Sequence, residues 1–260
     1  MLMTVDAGNT NIALGIMDGD AIIGRYRLIT KTTRTSDEFG FFLNHFLTSS
    51  GLTPEDIEDV IISSVVPKLM YALTSAIIKY IHKKPIIISP ELKTGITVVS
   101  ENRNSVGADR IVNTAYAHHT YGRSAIIVDF GTATTFDYVS EKGEFKYVVI
   151  APGLGISAEA LTSLTARLPE IEIQKPASVL GTNTVTGMQA GVVYGYIGAV
   201  EYIIRQMKKE LNDPDCLVIA TGGLGKVVSN ETDEIDEYDP DIAYKGLKII
   251  YEMNKEDFHA

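Results

Sequence analysis

The chain has 260 residues, 45% of them hydrophobic and 22% charged, enough for one large or two modest domains with their own cores. Its 33 acidic side chains outnumber 23 basic ones, a net charge of −10 that argues against nucleic acid or an anionic membrane as partner. A single cysteine, Cys216, excludes an internal disulfide framework and fits a reducing cytoplasm, and no uncharged apolar run reaches the roughly 18 residues of a bilayer span.

In chain order, Leu2–Val5, Asn11–Met17 and Ala21–Leu28 read as strands, the last two joined by a hairpin at Asp18-Gly19-Asp20. Asp6 interrupts the first apolar run, so no secretory leader is expected. Thr35 with Glu38 three residues on spells a capping box, and the helix it opens gathers Phe39, Phe42, Leu43 and Phe46 on one face. Thr53-Pro54-Glu55-Asp56 is a second helix-start signal: a cap, a proline, then acids in the first turn. Val60–Val66 reads as a buried strand stopped by Pro67, Leu69 to His82 as an apolar-striped helix, and Pro85–Ser89 as a further strand. Ser105 is placed to cap a helix from about Val106 towards His119.

The second half repeats this order. Strands fall near Ala125–Asp129, Thr134–Val139 and Phe145–Ile150, and a helix starts at about Ser157. Thr186–Leu211 is the longest helix; the buried strand Leu217–Ala220, a glycine turn at Thr221–Gly225, an acidic solvated loop at Glu231–Asp241 and a closing helix at Asp241–Met253 follow. The order β-β-β-α-β-α, twice over, predicts two α/β domains with mixed sheets, residues 1–118 and 119–260.

One motif is repeated with the fold. Val5-Asp6-x-Gly8 near the start lines up with Val128-Asp129-x-Gly131, and each is followed by a hairpin turn at matching distance. The first loop continues through Asn9, Thr10 and Asn11; the second through Thr132, Thr134 and Thr135. Glycine lets backbone amides approach an oxyanion, small hydroxyls add donors, and a carboxylate can hold a cation and its water. Two such loops, one per half, are expected to share a nucleotide across a cleft.

Other familiar sites are missing or weak. Gly225-Lys226 is followed by Val227, so no P-loop of the common kind is present. Gly153-Leu154-Gly155-Ile156-Ser157-Ala158 matches a dinucleotide fingerprint, but Pro152 intrudes before its first glycine. His118 and His119 are adjacent and point to different helix faces, so they cannot grip one metal together. Gly107-Ala108-Asp109-Arg110 opens a helix; Asp109 either answers the helix dipole or accepts a substrate proton, with Arg110 near a substrate anion. A carboxylate of near-normal pKa would suffice for that task in phosphoryl transfer. The long helix carries Gly187, Gly191 and Gly195 at intervals of four with Gly198 close by, a pattern open to core packing or a homodimer seam. Thr184 stands just before it, as a simple cap or something more.

Taken together, Asp6-Ala-Gly-Asn-Thr-Asn11, Ser64-Val-Val-Pro67, Gly107-Ala-Asp-Arg110, Asp129-Phe-Gly-Thr132, Ala151-Pro-Gly153, Ala166-Arg-Leu-Pro169, Asn183-Thr184 and Thr221-Gly-Gly223 resemble, in order, the type III pantothenate kinases of the actin and sugar-kinase superfamily. The resemblance implies a duplicated actin-like, ribonuclease H-like α/β fold with mixed sheets, and ATP-dependent phosphorylation of pantothenate, the first step of coenzyme A synthesis. It implies that Asp6, Ala7, Gly8, Asn9, Thr10, Asn11, Ile12 and Ala13 cradle the ATP phosphates, with Thr132 as second phosphate contact. It places a monovalent cation, K⁺ or NH₄⁺, at Asp129, and pantothenate at Gly107, Ala108, Asp109 and Arg110, with Asp109 as proton acceptor and Mg²⁺ accompanying ATP. Thr184 matches a substrate contact supplied across a homodimer interface, and the Thr221 turn lies on the adenosine side. Two positions depart from the family: Ser100 stands where a pantothenate-contacting tyrosine is usual, and Tyr147-Val148 where a glycine pair is common. They motivate two competing expectations, a non-catalytic nucleotide-binding accessory protein of the same fold and a kinase of another small hydroxy substrate.

Overall fold

The structure is a computed structural model that describes residues 1–99 and 106–259. Ser100, expected at the substrate, and Ser105, expected as a helix cap, lie outside these residues. The elements run β1 Leu2–Ala7, β2 Asn11–Asp18, β3 Ala21–Ile29, α1 Ser36–Ser49, β4 Asp59–Ser64, α2 Pro67–Ala76, β5 Ile86–Ile87, β6 Thr97–Val98 and α3 Ala108–Tyr121. They continue β7 Ala125–Phe130, β8 Ala133–Val139, β9 Glu144–Pro152, α4 Leu154–Ser163, α5 Thr184–Leu211, β10 Leu217–Thr221, α6 Gly225–Ser229, β11 Glu237–Tyr238 and α7 Ile242–His259.

Local chemistry sets most of these bounds. The Thr35 hydroxyl accepts from Glu38 N at 3.2 Å while the Thr35 amide donates to Glu38 Oε2 at 2.7 Å, so α1 opens on the box its sequence spells. At Thr53 the same device closes only one 3₁₀ turn, Pro54–Asp56, because β4 begins three residues later. Pro67 ends no strand directly: β4 stops at Ser64 and the proline takes the first position of α2, where its missing N–H costs nothing. α2 continues as one π turn over Ile77–Ile81 and is terminated by left-handed His82. Helix α4 starts three residues before the expected Ser157, because Gly153 caps it.

The described residues gather into two units, 1–96 with 106–119 and 241–259, and 97–99 with 120–240. In the first, the strand order is β3-β2-β1-β4-β5, with β1 antiparallel to β2 and parallel to β4. Strand alternation gives the sheet two apolar faces. Met3, Val5 and Ala7 pack with Phe39 and Leu43 of α1 and with Leu73 of α2. Leu2 and Ile61 pack with Val112 and Ala115 of α3 and with Leu247 and Ile250 of α7. In the second unit the order is β11-β10-β7-β8-β9-β6, and Val128 and Phe136 pack with Val193, Ile197 and Val200 of α5. The strands β1 and β7 carry the same burial pattern and the same neighbours: an antiparallel hairpin partner on one edge, a parallel strand on the other. Two mixed sheets built alike are the duplicated actin-like fold.

Helix α7, placed by the sequence division with residues 119–260, belongs to the first unit. Fully burying Leu247 and Ile250 contributes about 1.5–3 kcal/mol each. A bidentate pair from Arg25 of β3 to Asp241, 2.8 and 2.6 Å, fixes where the helix enters. The crossing with α3 is close: a Cβ on Gly246 would lie 2.4 Å from the Val112 carbonyl oxygen. Gly246→Ala therefore lowers stability by about 1–3 kcal/mol through overpacking, outweighing the gain of about 1 kcal/mol in helix propensity. Urea unfolding checks this; a stabilised variant would mean that the crossing is looser than drawn.

Candidate active site

In the first unit the site is built at the carboxyl end of β1. The loop from Gly8 to Asn11 closes with Gly8 N donating to Asn11 O at 3.0 Å, and β3 staples it from outside. Thr30 N donates to Thr10 O at 2.9 Å, and the Thr30 hydroxyl donates to Gly8 O at 2.8 Å. Asn9, Thr10 and Asn11 are thereby exposed on a short braced tip, while Asp6 is half-buried at its base. Beside Asp6 runs β4, in register Asp6 to Ser63 and Ala7 to Ser64. Past its end, Val65 N donates to Ala7 O at 3.1 Å, and the Ser64 hydroxyl accepts from Val66 N at 3.1 Å.

The start of α3 rests on this strand end. A Cβ on Gly107 would stand 3.1 Å from Val65 Cγ1 and 2.5 Å from Asp109 Oδ1, so a side chain there would displace the Asp109 carboxylate and press on Val65. Asp109 folds back over its own helix terminus, its Oδ1 accepting from Arg110 N at 2.8 Å. Burial pushes its carboxyl above the usual carboxylate range, against the opposing pull of that amide and of the Arg110 charge. A near-normal pKa would suffice for proton acceptance; desolvation raises it instead. Gly107, Ala108, Asp109 and Arg110 share the first unit with Asp6–Ala13.

The second unit repeats the plan. Asp129 ends the buried run of β7, half-buried, and Gly131 and Thr132 form an exposed tip. Thr221 of β10 stands opposite Asp129 in the parallel register. Two glycines close on this loop. A Cβ on Gly153 would fall 2.3 Å from Thr132 O; one on Gly222, whose φ is +91°, would fall 2.6 Å from the Phe130 carbonyl and 2.7 Å from Asp129 Oδ1. Gly153 is therefore spent on packing against the second loop, and the dinucleotide fingerprint it begins has this other explanation. The hydroxyls of Thr134 and Tyr196 are hydrogen-bonded, and the Phe130 and Tyr196 rings lie 6.3 Å apart, tying the loop's flank to α5. Tyr196 and Ser63 escaped sequence reasoning: neither stands in the repeated motif, though Ser63 immediately precedes Ser64-Val-Val-Pro67.

Thr184 is not the cap of α5. Asn183 is, accepting from Thr186 N at 2.9 Å, which leaves Thr184 exposed on the first turn. Among the described residues a Cβ at Gly187, Gly191, Gly195 or Gly198 would meet nothing within 4 Å, so core packing against them does not explain these glycines, although the backbone of Gly181 comes close to Gly187.

Among the described residues no three His, Cys, Asp or Glu side chains cluster as a metal site. A lone carboxylate at the base of a loop such as Asp6 suits Mg²⁺, which keeps waters and takes phosphate oxygens instead of an all-protein cage. Asp129, beside the Phe130 carbonyl, offers the oxygen donors a monovalent cation takes. No helix among the described residues is long and apolar enough to cross a membrane.

Comparison with known proteins places the chain in a family. A family model described as type III pantothenate kinase matches residues 2–206. A type III pantothenate kinase of Bifidobacterium longum is 50% identical over 254 residues, covering 98% of this chain and 99% of the relative. One from Agathobacter rectalis is 48% identical over 251 residues, covering 96% of each. Component A of (R)-2-hydroxyglutaryl-CoA dehydratase from Acidaminococcus fermentans shares the fold at 13% identity, with a TM-score of 0.56 over 98% of both chains.

Proposed function

The chain belongs to the type III pantothenate kinase family, and from that premise we propose which of its own residues perform the reaction. The protein is an ATP-dependent kinase that phosphorylates pantothenate on the way to coenzyme A. Asp109 is the proton acceptor: it takes the proton from pantothenate's primary hydroxyl as that oxygen attacks the γ-phosphorus. The bond from the γ-phosphorus to its bridging oxygen breaks, and ADP leaves with the electron pair. The observation carrying this reading is Asp109 itself, half-buried and desolvated at a helix start that opens on Gly107, beside the end of β4, the parallel neighbour of the strand that carries Asp6. A carboxylate with a raised pKa is a stronger base than one in water.

The other roles follow from position. Asp6 orients the hydrated Mg²⁺, and the braced loop through Ala13 offers backbone amides and small polar side chains to the phosphates. Mg²⁺, when bound, neutralises charge on the transferred group. Thr132 gives a second phosphate contact, and Asp129 holds the monovalent cation. Gly107 and Ala108 leave room for pantothenate, whose carboxylate pairs with Arg110. Thr184 reaches the substrate of a second copy in a homodimer. A cytoplasmic setting suits Cys216, whose thiol is buried and pushed up to about 11.

Pantothenate-dependent ADP release from pure protein with ATP, Mg²⁺ and K⁺ tests the assignment. Release with a different small alcohol alone would move the substrate, and none with any would leave a nucleotide-binding protein. The dimer has its own test. Gly191→Glu removes a helix glycine, worth up to about 1 kcal/mol of propensity, and puts a charge on the exposed glycine face. We expect a folded chain of halved mass by light scattering and depressed turnover; an unchanged mass would remove α5 from the interface.

A further inference from the structure

Asp6, near the carboxyl end of β1, has a neighbour with no role in the reading above. Ser63 stands opposite Asp6 in the parallel β1–β4 register. It is 0% exposed, and its Oγ meets no hydrogen-bond partner among the described residues. Alternation along the strands puts Asp6 and Ser63 on the face that also carries Leu2 and Ile61. That face is covered by α3 and α7, where Leu2 and Ile61 pack with Val112 and Tyr244. Two residues on, Val65 lies against Gly107 at the start of α3. The hydroxyl is therefore at the carboxyl end of a parallel strand pair, beside one carboxylate and next to the helix start that carries another. Carboxyl ends of parallel strands are where α/β sheets take their ligands.

Burying a hydroxyl with nothing to bond is unfavourable, and alanine would fill the same place without that cost. The second unit has a like arrangement: Thr221, 6% exposed, stands opposite Asp129 in the parallel β7–β10 register. A packing role would not call for a hydroxyl beside the loop acid in both units.

We propose that Ser63 is a positioning residue for phosphoryl transfer, its hydroxyl donating to the water shell of the divalent cation that Asp6 orients. This rests on the reading of Asp6 given above. Ser63→Ala, Ser63→Cys and Asp6→Asn separate the two. Mn²⁺ serves as the probe, its free concentration followed by spin resonance in the presence of a non-hydrolysable ATP analogue. Ser63→Ala is expected to weaken Mn²⁺ about tenfold and to raise the Mg²⁺ needed for half-maximal activity by a similar factor. KM for pantothenate should stay within about twofold, and the unfolding midpoint of the ligand-free protein should hold or rise, since an unbonded buried hydroxyl is removed. Ser63→Cys keeps the shape, slightly enlarged, with a much weaker donor and should shift Mn²⁺ binding the same way, should the alanine variant fold poorly. Wild-type Mn²⁺ affinity in both Ser63 variants, with loss in Asp6→Asn, would overturn the proposal and leave Asp6 in place. Wild-type affinity in Asp6→Asn as well would overturn the reading of Asp6. A ligand-free midpoint lowered in both Ser63 variants would make the hydroxyl a structural group and also overturn the proposal.

Discussion

Asp109→Asn lowers kcat by about 10²–10⁴-fold while the folded chain holds or gains thermal stability. The loss follows because asparagine keeps the size and the acceptor oxygen for Arg110 N but cannot take a proton. The stability side follows from linkage. Burial raises the Asp109 pKa above its unfolded value, so between the two values the native state binds more protons than the unfolded one. Stability then falls as pH rises through that window, and it stays lowered once the folded group has ionised. The wild-type chain carries this cost at neutral pH; the asparagine variant does not. Calorimetric midpoints measured below the ordinary carboxylate range and near neutrality should show the variant's advantage only at the higher pH. The same shift moves the acid limb of the wild-type kcat/KM profile above the pH expected of a solvated aspartate. Turnover retained within about tenfold would remove Asp109 from the chemistry.

Gly222→Ala is expected to have the largest effect on folding. At φ +91° an L side chain is strained, by about 1–2 kcal/mol even where the left-handed region is favourable. The added Cβ would also press on the Phe130 carbonyl and on Asp129 Oδ1, at 2.6 and 2.7 Å. The carbonyl is backbone of a central, buried strand and cannot swing aside as an exposed side chain would; overpacking there adds about 1–3 kcal/mol. The sum lowers the midpoint by on the order of 10 °C. Because the loop acid is displaced too, the K⁺ dependence of turnover should weaken in whatever folds. Gly155→Ala is the control: its Cβ meets nothing within 4 Å, and in α4 it should gain up to about 1 kcal/mol. A Gly222→Ala midpoint within about 2 °C of wild type would mean that the loop and the Thr221 turn are not in tight contact.

Much of this was readable from short windows of sequence. The Thr35–Glu38 box, the apolar runs of β1 and β7, and the glycine turns act over a handful of residues, so composition and spacing encode them directly. So is the repeated acid-then-glycine bend, with the ordered motifs that identify the family. The Thr53 signal shows the limit: its amide and hydroxyl both donate to the Asp56 carboxylate, yet the adjoining β4 leaves room for one turn only.

Other properties depend on partners far apart in the chain. Helix α7 returns to the first unit because its apolar stripe meets Val112 and Ile61, more than a hundred residues earlier, and no local pattern names that partner. Tertiary packing also assigned these glycines their parts: Gly153 and Gly222 answer to backbone brought against them, whereas the α5 glycines meet nothing among the described residues along their missing side chains. Likewise the basicity of Asp109 and the buried hydroxyl of Ser63 exist only once strand register and helix docking have taken water away. Sequence by itself determined the longer elements, their order and the family, but not the short β6, α6 and β11, the last of which lies within the stretch read as a solvated loop; the fold decided desolvation and close approach, since both are set by what lies next to a residue in space.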